Sequence, residues 1–282
     1  MGQVEQNIIE LLLAYGADVN IENLNSETSI FSLFYLTNNR PMKSKLNLFK
    51  ILLDAGANVN KQDTLGYTLL QYLVIMTGIH YTFEQMIIVV RYLLDVGANE
   101  TLNIQNYSGQ TVLHLACQCP EEDSHLTQLA YLLLFHGTNP NISDNQGQTA
   151  LHYAAMDYRN ICLIKVLKHY GADMNAHNHV SHTPLHKFCT ETKFNNNNRV
   201  ISFLELLVQL GCNINSCSID NPTVLHLAFE KRNASICRTL LINSQGYLQR
   251  TPLHFAARNL RSDQFNMVLI LMLKTGTSRS NG

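Results

Sequence analysis

The stretch "GQTALHYAAM", Gly147 to Met156, decides the fold, because versions of it recur along the chain. "GQTVLHLAC" starts at Gly109, "SHTPLHKFC" at Ser181, "NPTVLHLAF" at Asn221 and "QRTPLHFAA" at Gln249. Two fainter echoes come earlier, "SETSIFSLF" from Ser26 and "GYTLLQYLV" from Gly66. A catalytic motif needs to occur once, whereas seven copies mark a structural unit. The motif threonines Thr28, Thr68, Thr111, Thr149, Thr183, Thr223 and Thr251 stand 40, 43, 38, 34, 40 and 28 residues apart. A second marker, Gly followed by a small residue and Asn or Asp, begins at Gly16, Gly56, Gly97, Gly137, Gly171 and Gly211. Its spacings are 40, 41, 40, 34 and 40. Two independent markers keep one rhythm, so the chain is an array of repeats.

Between the markers the apolar residues recur at helical intervals. Each Thr opens a short Ala/Leu-rich segment, and a second amphipathic segment runs up to the Gly, as in "NICLIKVLKHYG" and "NLFKILLDAG". The Thr hydroxyl suits a helix cap, with Pro184 and Pro252 in the first turn, where a missing N–H does no harm. The Gly suits the position just past a helix end, where a left-handed backbone is needed. Each unit therefore reads as a turn followed by two antiparallel helices, an all-α class.

The run D-x-x-G-x-T-A-L-H-x-A-A closing on G-A-D-x-N, Asp144 to Asn175, resembles the ankyrin repeat. The resemblance covers nearly the whole chain. It implies an ankyrin-repeat solenoid of stacked helix-turn-helix units with protruding β-hairpin loops between the Asn and the next Thr. It also implies that His114, His152, His186, His226 and His254 bond neighbouring loop backbone beside Thr111, Thr149, Thr183, Thr223 and Thr251. The expected boundaries are an N-terminal half-repeat at 1–20, then repeats at 21–60, 61–103, 104–141, 142–175, 176–215, 216–243 and 244–275, with a polar tail at 276–282.

Three features depart from the family pattern. A standard unit has about 33 residues, and only the Thr149–Thr183 unit, at 34, comes close. The surplus is expected between the two helices, in "TNNRPMKSK", "TGIHYTF", "CPEEDSHLTQ" and "TETKFNNNNRV", as solvated loops or added contact features. The chain opens on a second helix with no first, which suggests a fragment, an isoform or a covered end. Finally, "LLINSQGYLQRT" has no Gly-Ala-Asp finger, so that hairpin is expected to be clipped.

Composition narrows the function. Hydrophobic residues at 46% against 15% charged indicate a folded chain, and a net charge of −1 argues against a general polyanion binder. No stretch is long and apolar enough for a membrane span, and no leader pattern is visible at the start. Seven scattered Cys point to reduced thiols in a cytoplasmic or nuclear protein. No Gly-rich phosphate loop, H-E-x-x-H, paired-Cys zinc motif or Gly-x-Ser-x-Gly elbow occurs, so no enzyme activity and no cofactor is expected. Cys117 and Cys119 read as buried fillers. His182 and His186 have a metal-compatible spacing, yet His186 belongs to the repeat motif and its neighbours His177 and His179 fall on a fingertip, so no metal is expected.

The expected function is a non-catalytic scaffold or adaptor, probing a protein partner with its fingertips and the groove below them, as a monomer. Counting back from each Thr, the tip positions include Glu22, Leu24, Gln62, Leu65, Tyr67, Gln105, Tyr107, Gln110, Ser143, Asn145, Gln148, His177, His179 and His182. Of these Tyr67, Tyr107, Gln110, Asn145, Gln148 and the three His are the candidate contacts, Tyr being a frequent hot spot. Phosphate contacts would need more Lys and Arg, so no nucleic-acid partner is expected. The resemblance leaves other readings open: the substrate-receptor part of a ubiquitin ligase, the ankyrin segment of a longer enzyme or channel, or a viral host-range protein. It also implies that finger Asn20 and Asn175, each with Leu eight residues before and Asp two before, suit an asparaginyl hydroxylase.

In such an array the end repeats should open before the middle. Amide hydrogen exchange is expected to be slowest across Thr111 to Asn175, where the motif is most regular. Uniform protection from end to end would contradict this.

Overall fold

A computed structural model describes residues 2–35, 42–77, 82–191, 198–218, 223–230, 236–237 and 239–240. The repeat expected at 244–275, with Thr251 and His254, and the tail 276–282 lie outside the described residues. The chain forms two compact units, Met1–Asn145 and Gln146–Gly282. The first holds α1 (Gly2–Ala14), α2 (Ser29–Tyr35), α3 (Met42–Asp54), α4 (Leu69–Ile75), α5 (Phe83–Asp95), a 3-10 turn (Ala98–Thr101), α6 (Val112–Gln118) and α7 (Asp123–Phe135). The second holds α8 (Ala150–Ala154), α9 (Ile161–His169), α10 (Pro184–Glu191), α11 (Asn198–Gln209) and α12 (Val224–Glu230).

Short first helices alternate with longer second helices, as the two periodic segments require. In the first unit α2 packs on α3, α4 on α5 and α6 on α7, while α4 also packs on α6. In the second unit α8 packs on α9, and α10 lies between α8 and α12. The core is the seam between them: Phe34 meets Phe49 edge-on at 5.3 Å, Phe49 meets Tyr92 at 5.5 Å, and Phe188 meets Phe203 at 5.3 Å. Fully burying each such side chain contributes about 1.5–3 kcal/mol.

The recurring Thr and His build a two-ended connector. Thr149 is the N-cap of α8, and its N–H donates to His152 Nδ1 at 3.0 Å. A backbone N–H can only donate, so Nδ1 is the acceptor and the proton sits on Nε2. That nitrogen lies 3.0 Å from the carbonyl of His182, on the next finger. The same cap contact recurs at Thr111–His114 (3.1 Å), Thr183–His186 (3.2 Å) and Thr223–His226 (3.0 Å). In the fainter copy "GYTLLQYLV" Gln71 replaces the His. Its Oε1 accepts from Thr68 N–H at 3.0 Å, and its Nε2 donates to Ile104 O at 2.7 Å and Gln110 O at 3.2 Å. An amide does the work of an imidazole because both carry an acceptor and a donor at opposite ends. In "SETSIFSLF" the position is Phe31, and the buried Thr28 hydroxyl has no hydrogen-bond partner among the described residues.

Second helices end as expected. After α9, Gly171 takes φ +86°, its N–H bonds Lys168 O at 3.0 Å, and Ala172 N–H bonds Leu167 O at 3.0 Å. This is the Schellman closure, which satisfies the last carbonyls of the helix.

In the one surplus stretch that is fully described, the added length does not sit where it was expected. In the Thr111–Thr149 unit, "DSHLTQ" belongs to α7, and only 119–122 link α6 to α7. The Thr149–Thr183 unit has a first helix of five residues and a second of nine, against seven and thirteen in the unit before it. Most of the added sequence is therefore helix. A turn of α-helix takes 3.6 residues, so about four extra residues leave the apolar face where it was. Downstream nothing changes: Phe135 precedes Thr149 by the same fourteen positions as His169 precedes Thr183 and Gln209 precedes Thr223. Portions of the other three surplus stretches, at 36–41, 78–81 and 192–197, lie outside the described residues.

The fingers are tight turns rather than two-stranded hairpins. Among the described residues the only β pairing is the isolated bridges Gln62–Thr68 and Cys217–Thr223. Four of these turns are closed by an Asn or Asp five residues before the Thr, at Asn23, Asp63, Asn106 and Asn178. Asp63 accepts from Leu65 N–H and Tyr67 N–H at 2.9 and 2.8 Å, and Asn178 accepts from Val180 N–H and His182 N–H at 3.1 and 2.8 Å. Three residues after that Asx, the backbone turns left-handed. Gly66, Gly109 and Gly147 hold the position at φ +76° to +79°, but Ser26 and Ser181 occupy it at +56° and +57°.

A side chain in the left-handed region costs about 1–2 kcal/mol, part of which Gly gives back as unfolded-state entropy. Ser181→Gly is thus expected to stabilise the chain by about 0.5–1 kcal/mol. Gly147→Ala is expected to destabilise it, because its Cβ would lie 2.7 Å from His179 N. Urea denaturation of both variants checks the pair of opposite signs.

A second outcome concerns acid. Burial lowers the pKa of His226 below its ordinary 6.5, and its Nδ1 must stay unprotonated to accept from Thr223. The folded pKa is below the unfolded one, so this stabilisation is present above about pH 6.5 and is lost as pH falls towards the folded pKa. The denaturation midpoint should drop between pH 7.5 and pH 5.5. His226→Gln, which keeps both ends of the connector as Gln71 does, should reduce that drop.

Candidate functional site

The fingertips of each unit are joined by a backbone ladder. Four residues before Thr68, Thr111, Thr149 and Thr183, an N–H donates to the carbonyl of the preceding tip. Within Met1–Asn145 the rungs are Thr64 to Asn25 O (3.0 Å), Tyr107 to Leu65 O (3.2 Å) and Asn145 to Ser108 O (3.1 Å). Within Gln146–Gly282 the rung is His179 to Gln146 O (3.0 Å). Side chains add to it: Gln62 Nε2 donates to Gln105 O at 3.1 Å, Gln105 Nε2 to Ser143 O at 2.8 Å, and Asn145 Nδ2 to Tyr107 O at 2.8 Å. Lys61 Nζ meets Glu22 Oε1 at 2.7 Å across two fingers and holds that carboxyl below its ordinary pKa. Gln62, Gln105 and Glu22 therefore already have partners in the fold.

Finger asparagines clamp one unit to the next. Asn20 Nδ2 donates to Gly56 O at 2.9 Å while its Oδ1 accepts from Asn58 N–H at 2.7 Å. Asn175 does the same with Gly211 O and Asn213 N–H, at 2.9 and 2.6 Å. Both ends of each amide, the two positions matched to the hydroxylase pattern, are thus occupied by the neighbouring finger.

The candidate contacts separate into two groups. Tyr107, Asn145, His177 and His179 are exposed. Tyr107 is 71% exposed, yet the edge of its ring lies over Gly66, where an added Cβ would come within 2.7 Å of it. His179 lies over Gly147 in the same way. These residues thus pack on the tip before them as well as facing solvent. Tyr67 and Gln110 are half-buried, and so is His182, whose ring stacks on His186 at 5.4 Å. Gln148 is a correction: it is 3% exposed, and its Nε2 is spent on Gln146 Oε1 (3.1 Å) and Tyr153 Oη (2.9 Å), so it cannot be a partner contact.

Leu24 and Leu65 also stand at tip positions by their offset from the Thr, outside the candidate contacts. In the structure Leu24 is fully exposed and Leu65 is 62% exposed. With Tyr107 they put one solvent-facing apolar residue on each of three successive fingers. Below them Tyr67, Ile75, Gln110, Leu115, Gln118 and Pro120 line a groove of about 260 Å³.

The two thiols spaced as C-x-C are chemically quiet. Cys117 is buried as expected, but Cys119 is half-buried and borders the groove. Burial pushes Cys117 up to about 12 and Cys119 up to about 11, so neither forms an appreciable thiolate at neutral pH. Among the described residues no cluster of His, Cys, Asp and Glu has metal-binding geometry, and no helix is long and apolar enough to cross a membrane.

A family model described as ankyrin repeats matches residues 33–127, 121–195 and 193–279. The chain is also similar to viral and vertebrate proteins. Over 165 residues, 53% of this chain, it is 33% identical to a protein of Acanthamoeba polyphaga mimivirus named putative ankyrin repeat protein L371. Over 175 residues, 62% of this chain, it is 29% identical to putative ankyrin repeat protein FPV034 of fowlpox virus. Over 172 residues, 58% of this chain, it is 30% identical to the nuclear factor NF-kappa-B p105 subunit of Gallus gallus. These alignments span 20%, 36% and 16% of the relatives' own lengths. With the Thr–His connector, the Schellman glycines and the stacked helix pairs all in register, the chain belongs to the ankyrin repeat family.

Proposed function

We propose that the chain is a non-catalytic protein-binding module that takes its partner on the fingertips of residues 1–145. The observation that carries this reading is the row Leu24, Leu65 and Tyr107 on three successive tips. Exposed apolar groups on successive tips that backbone bonds tie together mark an interaction surface more than a packing accident. The partner that fits is a protein segment with apolar side chains facing the tips and one side chain entering the groove beside Tyr67 and Gln110. Two amide-bearing residues at its rim, Gln110 and Gln118, supply hydrogen bonds without a strong charge.

Several observations favour binding over chemistry. The Nδ1 atoms of the motif histidines are engaged by their caps, and the groove thiol is protonated at neutral pH. Free cysteines throughout the described residues favour a reducing compartment, the cytoplasm or the nucleus. A monomer engaging protein rather than nucleic acid completes the reading. The relatives are several times longer than the matched stretch and include viral proteins. This favours a second reading, in which the module is the recognition segment of a larger protein, and a viral one would take a host partner.

The test is affinity capture followed by a measured Kd for the captured partner. Leu24→Ser with Leu65→Ser and Tyr107→Ala should weaken binding by at least about thirtyfold, since one hot spot is worth at least about 2 kcal/mol. The Leu24→Ser and Leu65→Ser changes should each alter stability by less than about 0.5 kcal/mol. An unchanged Kd in the triple variant would put the contact on another face.

A further inference from the structure

The net charge of −1 conceals a division that follows the two compact units. Residues 1–145 carry 14 Asp and Glu against 6 Lys and Arg, whereas residues 146–282 carry 7 against 14. The unit that bears Leu24, Leu65 and Tyr107 is therefore the acidic one. Its bases also stand apart from the fingertips. Lys43, Lys45 and Lys50 lie on α3 and Arg91 on α5, both second helices, and Arg40 lies outside the described residues. Lys61 is the one base on a finger of this unit, and its Nζ is already 2.7 Å from Glu22 Oε1.

Four more carboxylates stand on the first three fingers, and neutral donors hold them. Asp18 Oδ1 accepts from Asn20 N–H at 2.8 Å, Glu27 Oε2 from Asn23 Nδ2 at 2.7 Å and Glu100 Oε2 from Asn60 Nδ2 at 3.2 Å, while Asp63 Oδ1 closes its own turn. A neutral donor fixes a carboxylate without cancelling its charge. Among the described residues Lys61–Glu22 is the only ion pair on these three fingers. Glu22 and Glu27 flank Leu24, two residues before it and three after, and Asp63 stands two before Leu65. An apolar row edged by charge of one sign attracts groups of the opposite sign and repels like ones. The tip at 177–182, "HNHVSH", has no acid, so this edging is not a property of the fingers in general. The groove beside Tyr67 and Gln110 has no charged side chain in its lining, so it suits an uncharged residue between the cations.

We propose that the fingertip row of residues 1–145 selects a cationic protein segment, in which Lys or Arg flank the apolar side chains that meet Leu24, Leu65 and Tyr107. This rests on the reading that the row is the binding surface, and it adds the sign of the partner's charge. The attraction is electrostatic as well as apolar, so binding weakens as salt rises.

The probe is a random-peptide display library panned on the full chain and then counter-selected on the Leu24→Ser, Leu65→Ser, Tyr107→Ala variant, which leaves peptides that need the row. These should be rich in Lys and Arg beside apolar residues. The best of them, synthesised alone, should bind about tenfold more weakly to Asp18→Asn with Glu27→Gln and Glu100→Gln, since three exposed charge contacts are removed. Each amide keeps the acceptor that its carboxylate supplied, so the melting temperature of that variant should match the parent's. Raising the salt from about 0.05 M to about 0.5 M should shrink the difference to less than about twofold, because the screening length then falls to about 4 Å. Row-dependent peptides of neutral or negative net charge, or a Kd unmoved by salt and by the three substitutions, would overturn this inference and leave the fingertip surface standing. Peptides that bind the counter-selection variant equally well would overturn the surface and the inference together, as would the absence of any binder.

Discussion

The most regular stacking in this protein depends on a side chain at the third helical position that accepts at one end and donates at the other, as His152 and Gln71 do. In both residues it takes the cap N–H that would otherwise be orphaned inside the fold, and it reaches the carbonyl of the following finger. Local capping and long-range stacking are therefore one interaction. Each of the two bonds contributes about 0.5–1.5 kcal/mol net, but leaving a buried N–H unmet costs about 1–3 kcal/mol. The penalty for losing the residue thus exceeds the gain from having it. Gln71 shows that the requirement is for two ends at the right separation, not for an imidazole.

Once the connectors are in place the tips have little freedom. In the turns at Asn23, Asp63, Asn106 and Asn178 the Asx residue closes the turn on itself and a left-handed residue reverses it, and at Gly66, Gly109 and Gly147 the next tip is laid over that residue. Where the left-handed residue is Gly, the next side chain comes down onto its backbone, as Tyr107 does on Gly66. The outer row is in consequence a fixed frame, and its few unshielded apolar groups are displayed with little entropy left to lose on contact.

The stack was legible in the sequence because its two markers answer to local physics: Thr to an orphan N–H, and Gly to a positive φ. Repetition then turned a weak local signal into a strong one. The surplus of the Thr111–Thr149 unit reads as loop in the sequence because "DSHLTQ" has too few apolar residues to read as helix, although tertiary packing makes it the start of α7. Gln148 looked like an exposed tip from its offset, and only the position of Tyr153 explains why it turns inward. Ser26 and Ser181 gave no hint of left-handed backbone, since nothing in a serine announces it. Contacts between neighbouring tips, such as Tyr107 over Gly66, join residues some forty positions apart and leave no trace in a single unit.

The extra helical turn in the Thr111–Thr149 unit also bears on how such a chain tolerates change in length. Four residues advance a helix by about 400°, which misaligns its face by some 40°, whereas one or two inserted residues would misalign it by 100° or more. Seven residues, at about 700°, come back closer still. Insertions and deletions of twelve or twenty-one nucleotides at this place are therefore nearly silent, and shorter in-frame ones are not. The 38-residue spacing from Thr111 to Thr149, four longer than the 34 from Thr149 to Thr183, is a difference of that size.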